Sequence, residues 1–162
     1  MEILSTICKN MIFAPKPVPQ TTQKRVFLAG SIDKKSQIDW QTTVALALEN
    51  ENILLLNPTR HSWDMSWKLS ADDTQFSEQV GWELEQLEQA DLVVINMLPE
   101  SQSPISLLEF GLHAKSGKIV VCCPEGFWKK GNVDMVCRRY HVNQVNNLDE
   151  LITYIKKFIN LD

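Results

Sequence analysis

The chain has 162 residues, 44% of them hydrophobic, and a net charge of −4 at pH 7. That length and apolar share suit one domain with a full hydrophobic core. The acidic balance, with a sequence pI of about 5.4, argues against a nucleic-acid groove, which needs a basic stripe.

No run approaches the roughly 20 apolar residues of a membrane span. The start, Met1 to Cys8, lacks the basic flank and long apolar core of a signal peptide. A cytoplasmic location is therefore expected, with neither membrane nor nucleic-acid polymer as partner. Cys8, Cys122, Cys123 and Cys137 show no C-x-x-C spacing and read as reduced thiols. His61, His113 and His141 are far apart in sequence. No metal and no cofactor is expected.

Residues 1–24 read as an extended arm. Pro15, Pro17 and Pro19 precede a polar run, Gln20 to Gln23. The single domain is expected over 25–162. Its first strand is Arg25 to Ala29, running into a turn at Gly30 and Ser31. Gly30 permits close backbone approach and Ser31 adds a hydroxyl. An ordinary strand-to-helix turn would read the same way.

A helix is expected over Trp40–Glu49, with Trp40, Val44, Ala47 and Leu48 on one side. Ile53–Leu56 is the second strand. It ends in Asn57-Pro58-Thr59-Arg60, and a long polar loop carries Trp63 and Trp67 to about Asp73. Loops of this length in a compact domain are often functional. The two tryptophans can stack on a flat ring or pack on the body.

The next helix spans Thr74–Ala90, with Phe76, Val80, Leu84 and Leu87 inward and Glu83 bordering that face. Leu92–Leu98 is the third strand. Ser103 then Pro104 signals a helix start: a hydroxyl able to cap, then proline at the first helical position. Ile105, Leu108 and Leu112 define its inward face, and Glu109 shares it by spacing. A carboxylate on an apolar face is costly unless something needs it. Glu109 also follows a buried strand's C-terminal end, where open α/β sheets place ligands.

That helix ends at Ser116-Gly117, and Lys118–Cys123 is the fourth strand. Pro124–Asp134 reads as a loop containing Trp128, Gly131 and Asn132. Val142–Val145 is a short fifth strand. A terminal amphipathic helix starts near Asn147 and carries Leu148, Leu151, Ile152, Ile155 and Phe158 inward. Strands alternating with helices imply an α/β fold, a doubly wound parallel sheet of about five strands.

Three features together resemble the nucleoside 2-deoxyribosyltransferase family. They are Val26-Phe27-Leu28-Ala29-Gly30-Ser31-Ile32, Glu83 with Asp91 eight residues later, and Leu108-Glu109-Phe110-Gly111. The match covers about residues 25–145. It implies a flavodoxin-like, Rossmann-like sheet and a glutamate nucleophile at Glu109. It also implies a substrate loop at Gly30-Ser31, an acid near the base at Glu83, and a polar contact at Asn132. Asp33, Asn57, Arg60, Trp63 and Ser103 complete the candidate substrate-binding set. Nucleosides and nucleobases are the implied partners, and a homodimer or higher homo-oligomer the implied assembly.

The chain departs from that family at two places. Phe27 stands where the well-studied transferases carry a tyrosine that holds the nucleophile. Ser103 stands where they carry an aspartate. Related N-glycosidases that hydrolyse nucleotides share the phenylalanine-type strand and a serine-bearing loop. Transfer of 2-deoxyribose between bases is the leading expectation. Hydrolysis of nucleoside 5′-monophosphates and non-catalytic nucleotide binding are the alternatives. For the two carboxyls the expectation is that Glu109 is charged and Glu83 holds the proton that the departing base receives.

Overall fold

The computed structural model describes residues 9–32 and 36–161. Cys8 and the first part of the arm lie outside the described residues. Six strands form one parallel sheet: β1 (Met11–Phe13), β2 (Lys24–Gly30), β3 (Ile53–Asn57), β4 (Leu92–Asn96), β5 (Ile119–Cys122) and β6 (Asn143–Val145). Their order is β1-β3-β2-β4-β5-β6, and every pairing is parallel. The central strands are near-continuous apolar runs because helices cover both of their faces.

Among the described residues there are five helices, the first four between successive strands from β2 onward and the last after β6: α1 (Trp40–Ala47), α2 (Thr74–Gln89), α3 (Pro104–His113), α4 (Lys130–Tyr140) and α5 (Leu148–Ile159). Trp40 and Val44 of α1 pack with Leu151 and Ile155 of α5 on one face. Trp82 of α2, Phe110 of α3 and Val133 of α4 pack on the other. Along β4, Val93 and Ile95 serve one core while Leu92 and Val94 serve the other, as the two-residue period of a strand requires. None of the described helices is long and apolar enough to cross a membrane.

Several expectations need correction. The arm is built into the body: β1 pairs with β3, and Lys16 accepts a hydrogen bond from the Trp82 indole at 2.9 Å. It supplies the sixth strand. Residues 124–134 are only partly loop, since α4 starts at Lys130. Its buried positions, Val133 and Cys137, have helical i, i+4 spacing, but two such residues among mostly polar ones make a weak signal. In α1 the inward residues are Trp40, Gln41, Val44 and Ala45, and Ala47 is exposed. The thiols of Cys122, Cys123 and Cys137 are buried and unpaired. Burial pushes each up to about 11, so they are poor nucleophiles.

The sheet order places β3 on one side of β2 and β4 on the other. This is the switch point at which doubly wound sheets open a crevice. The two strands bordering it end together, with Gly30 opposite Asn96.

Candidate active site

At the switch point the strands are tightly joined. Gly30 has φ +145°, and a Cβ there would lie 2.2 Å from the Asn96 carbonyl oxygen. Only glycine fits. The close approach that Gly30 permits is thus to the β4 backbone. Ser31 N–H then donates to the same Asn96 carbonyl at 2.8 Å. The Ser31 hydroxyl accepts from Leu98 N–H at 2.8 Å and lies 2.6 Å from the Ser103 hydroxyl. Ser103 lies 2.8 Å from the Ser101 hydroxyl. Three hydroxyls therefore tie the loop after β2 to the start of α3.

Ser103 does precede the helix, and Pro104 begins it, but the hydroxyl does not cap it. Its backbone is left-handed, φ +46°, a conformation that is uncommon for a non-glycine residue. That twist turns the hydroxyl toward Ser31 instead of toward the first-turn amides.

Glu109 is buried on α3, as expected, but on a different face. Ile105, Leu108 and Leu112 are each 59% exposed, while Ser106, Glu109, Phe110 and Ala114 are buried. The inward stripe is polar at the sheet end and apolar beyond. A similar rotation occurs in α2. Leu84 is exposed and Gln79, Trp82, Gln86 and Leu87 are buried. Glu83 lies among these, half-buried.

The two glutamates interact. Burial, and then repulsion from Glu83, pushes Glu109 up to about 8. Glu83 is also raised by burial, but Gln79 opposes this. The Gln79 side-chain amide donates to Glu83 at 2.7 Å and to the Pro58 carbonyl at 2.7 Å. Glu109 has no hydrogen-bond partner among the described residues. Phe27, fully buried against Trp82 with ring centroids 6.2 Å apart, has no hydroxyl to give it. The expected charge on Glu109 is therefore disfavoured before substrate binds. Glu109 holds the proton at neutral pH, and Gln79 favours ionised Glu83.

The remaining candidates are distributed differently. Asn57 is buried, with its carboxamide engaged by Met11 Sδ and Thr59 N–H. Arg60 pairs with Glu78 at 2.8 Å and covers the Trp67 ring at 4.8 Å. Trp63 packs edge-on against Trp67, 5.3 Å between centroids. Asn132 is exposed in the first turn of α4. Asp33 lies outside the described residues. So the structure joins Gly30, Ser31 and Ser103 at the start of α3, and couples Glu109 to Glu83. It engages Asn57 with Met11 of β1 and Thr59, Arg60 with Glu78 of α2 and the Trp67 ring, and Trp63 with Trp67. The sequence reading missed Gln79, although its place four residues before Glu83 was a usable signal.

The model of the family described as nucleoside 2-deoxyribosyltransferase like matches residues 23–127. The chain belongs to that family. The matched span runs from β2 through Phe127 and so contains the Gly30-Ser31 turn, Glu83 and Glu109. No curated protein matches the chain. Among solved structures, a conserved protein from Enterococcus faecalis V583 is similar, with a TM-score of 0.56 and 15% identity. The match covers 84% of this chain and 99% of that one. At that identity the likeness speaks to the fold alone.

Proposed function

We propose that this family member transfers 2-deoxyribose between nucleobases through a covalent sugar ester on Glu109. The observation that carries the reading is the coupled pair, Glu109 and Glu83, buried on adjacent helices beside the switch-point crevice. Cleaving an N-glycosidic bond needs a carboxylate at C1′ and a proton for the departing base. One proton can serve both needs. On substrate binding it passes from Glu109 to Glu83. The Glu109 carboxylate then bonds to C1′ as the C1′–N bond breaks. The base leaves with that electron pair and takes the proton from Glu83. An incoming base reverses the steps, returning a proton to Glu83 and releasing Glu109.

Incubation with a deoxynucleoside and a different free base tests this. A new deoxynucleoside on chromatography is the expected result. Release of sugar and base alone would make the reaction hydrolysis. That second reading has its own support, the three hydroxyls at the start of α3 and the absence of a hydroxyl at Phe27. A strong preference for the 5′-monophosphate over the nucleoside would favour it. Ligand-induced stabilisation with no turnover would make the protein a binding module.

The reading carries an assembly of at least two chains. The outer face of α3, the helix that bears Glu109, exposes Ile105, Leu108 and Leu112, an apolar stripe of the kind that partners cover. A monomer mass by light scattering at micromolar concentration would refute it.

A further inference from the structure

Across the sheet from the Glu109 face, a cleft of about 440 Å³ opens where β4 and β5 end and α1 and α5 begin. Neither Glu109 nor Glu83 lines it. That volume falls within the range of small-molecule sites, about 300 to 1,000 Å³. Asn96 lies at its floor. The residue is 3% exposed, and the alternation along β4 sets its side chain on the α1 and α5 face. Among the described residues its carboxamide has no hydrogen-bond partner.

The other polar groups of the cleft are engaged. Thr43 donates to the Asp39 carbonyl. Asn146 and Asn147 both donate to the Glu150 carboxylate. The Trp40 indole donates to the Ser31 carbonyl at 3.0 Å. The Asn96 amide atoms open on the cleft and are not sealed from solvent, and the engaged neighbours do not pair with them. A ligand can.

The lining also defines the ligand's class. Among the described residues no charged side chain lines the cleft. Carboxylates stand at both helix starts, Asp39 at α1 and Asp149 and Glu150 at α5, which disfavours an anion despite two helix N-termini. A carboxamide presents a donor and an acceptor side by side in one plane. Trp40 and Pro99 supply flat, apolar wall. We propose that this cleft binds a neutral planar heterocycle with adjacent donor and acceptor groups, the class that includes nucleobases, paired edge-on to Asn96. The site is separate from the Glu109 face and does not depend on the reaction there.

Uracil and adenine, each titrated into ¹⁵N-labelled protein, test it. Saturable shifts of the Asn96 side-chain amide and the Trp40 indole are expected with at least one base. They should persist in Glu109→Gln. Asn96→Leu should weaken the Trp40 response at least tenfold. Thr43→Phe, which narrows the cleft from α1, should do the same and serves if Asn96→Leu does not fold. No shift at either group, or shifts lost in Glu109→Gln and unchanged in Asn96→Leu, would overturn the site. Failure of the transfer assay would leave this result standing, and the absence of shifts would leave the reaction at Glu109 standing.

Discussion

Two regions beyond the C-terminal edge of the sheet carry the candidate residues, and they differ in one respect. After β3 the two candidate polar heads, Asn57 and Arg60, are engaged. Asn57 holds Thr59 and contacts Met11. Arg60 holds Glu78 and the Gln75 carbonyl. Beside the switch point, among the described residues, buried Glu109 has no hydrogen bond to support its charge, and Glu83 has one. Burying carboxyls this way opposes folding. Polar heads that already have partners are explained by the stability those partners give. A carboxyl left unsatisfied needs another explanation, and the proposed chemistry at the sugar supplies one.

The largest effect should come from Glu109→Gln. It removes the nucleophile while keeping shape and polarity, and activity should fall at least about a thousandfold. Chromatographic rates with matched circular dichroism check this. A loss below tenfold would remove Glu109 from the chemistry and dissolve the contrast with the loop.

The same variant should be more stable than the parent at high pH. Glu109 is pushed up to about 8 in the folded chain, against an ordinary 4.5. Between those values the folded state holds a proton that the unfolded state has lost. Stability therefore falls as pH rises through that window and levels off above about 8. Denaturant unfolding should show parent and Glu109→Gln nearly equal near pH 4. Above pH 8 the variant should be ahead by several kcal/mol, on the order of 1.4 per pKa unit. A constant difference across pH would show that burial does not raise Glu109.

How much of this the sequence disclosed depends on which link of the chain is asked. The β4 run Leu92 to Asn96 and the terminal helix were legible because burial on two faces, or on one stripe, writes directly into residue pattern. The face of α3 was not. Ile105, Leu108 and Leu112 have helical spacing and look like a core, but they are exposed. The buried stripe includes Ser106 and Glu109, which periodicity counts as polar. Glu109 was found by its place after β4 and by family resemblance. Its proton follows from burial and from Glu83 on another helix, an encounter between elements that linear spacing does not encode.

Gln79→Met should give a smaller, more diagnostic change. It deletes the donor that lowers Glu83, so Glu83 rises further. In the one-proton scheme kcat/KM is bell-shaped, limited at high pH by loss of the shared proton and at low pH by protonation of both carboxyls. The variant should move the acid limb to higher pH and cost about 1 kcal/mol of stability through the lost Pro58 contact. An unmoved acid limb would mean that Glu83 is not the second titrating group.

The smallest effect should follow from Arg60→Ala. Its partner Glu78 is half-exposed, and such pairs contribute about 0 to 1 kcal/mol. The cation over Trp67 adds about 0.5 to 1 kcal/mol when exposed. Loss of both should lower stability by about 1 kcal/mol and leave nucleoside turnover within threefold. The side chain nonetheless reaches the first turns of α2, through Gln75 and Glu78. Comparing a deoxynucleoside with its 5′-monophosphate in the parent and in Arg60→Ala therefore carries the decision. Equal, small losses on both substrates would leave Arg60 as a clamp of its own loop. A selective loss of the monophosphate, with the nucleoside unchanged, would mean that the guanidinium leaves Glu78 for a phosphate. The loop would then belong to the site, and the engaged state of its polar heads would describe only the protein before substrate arrives.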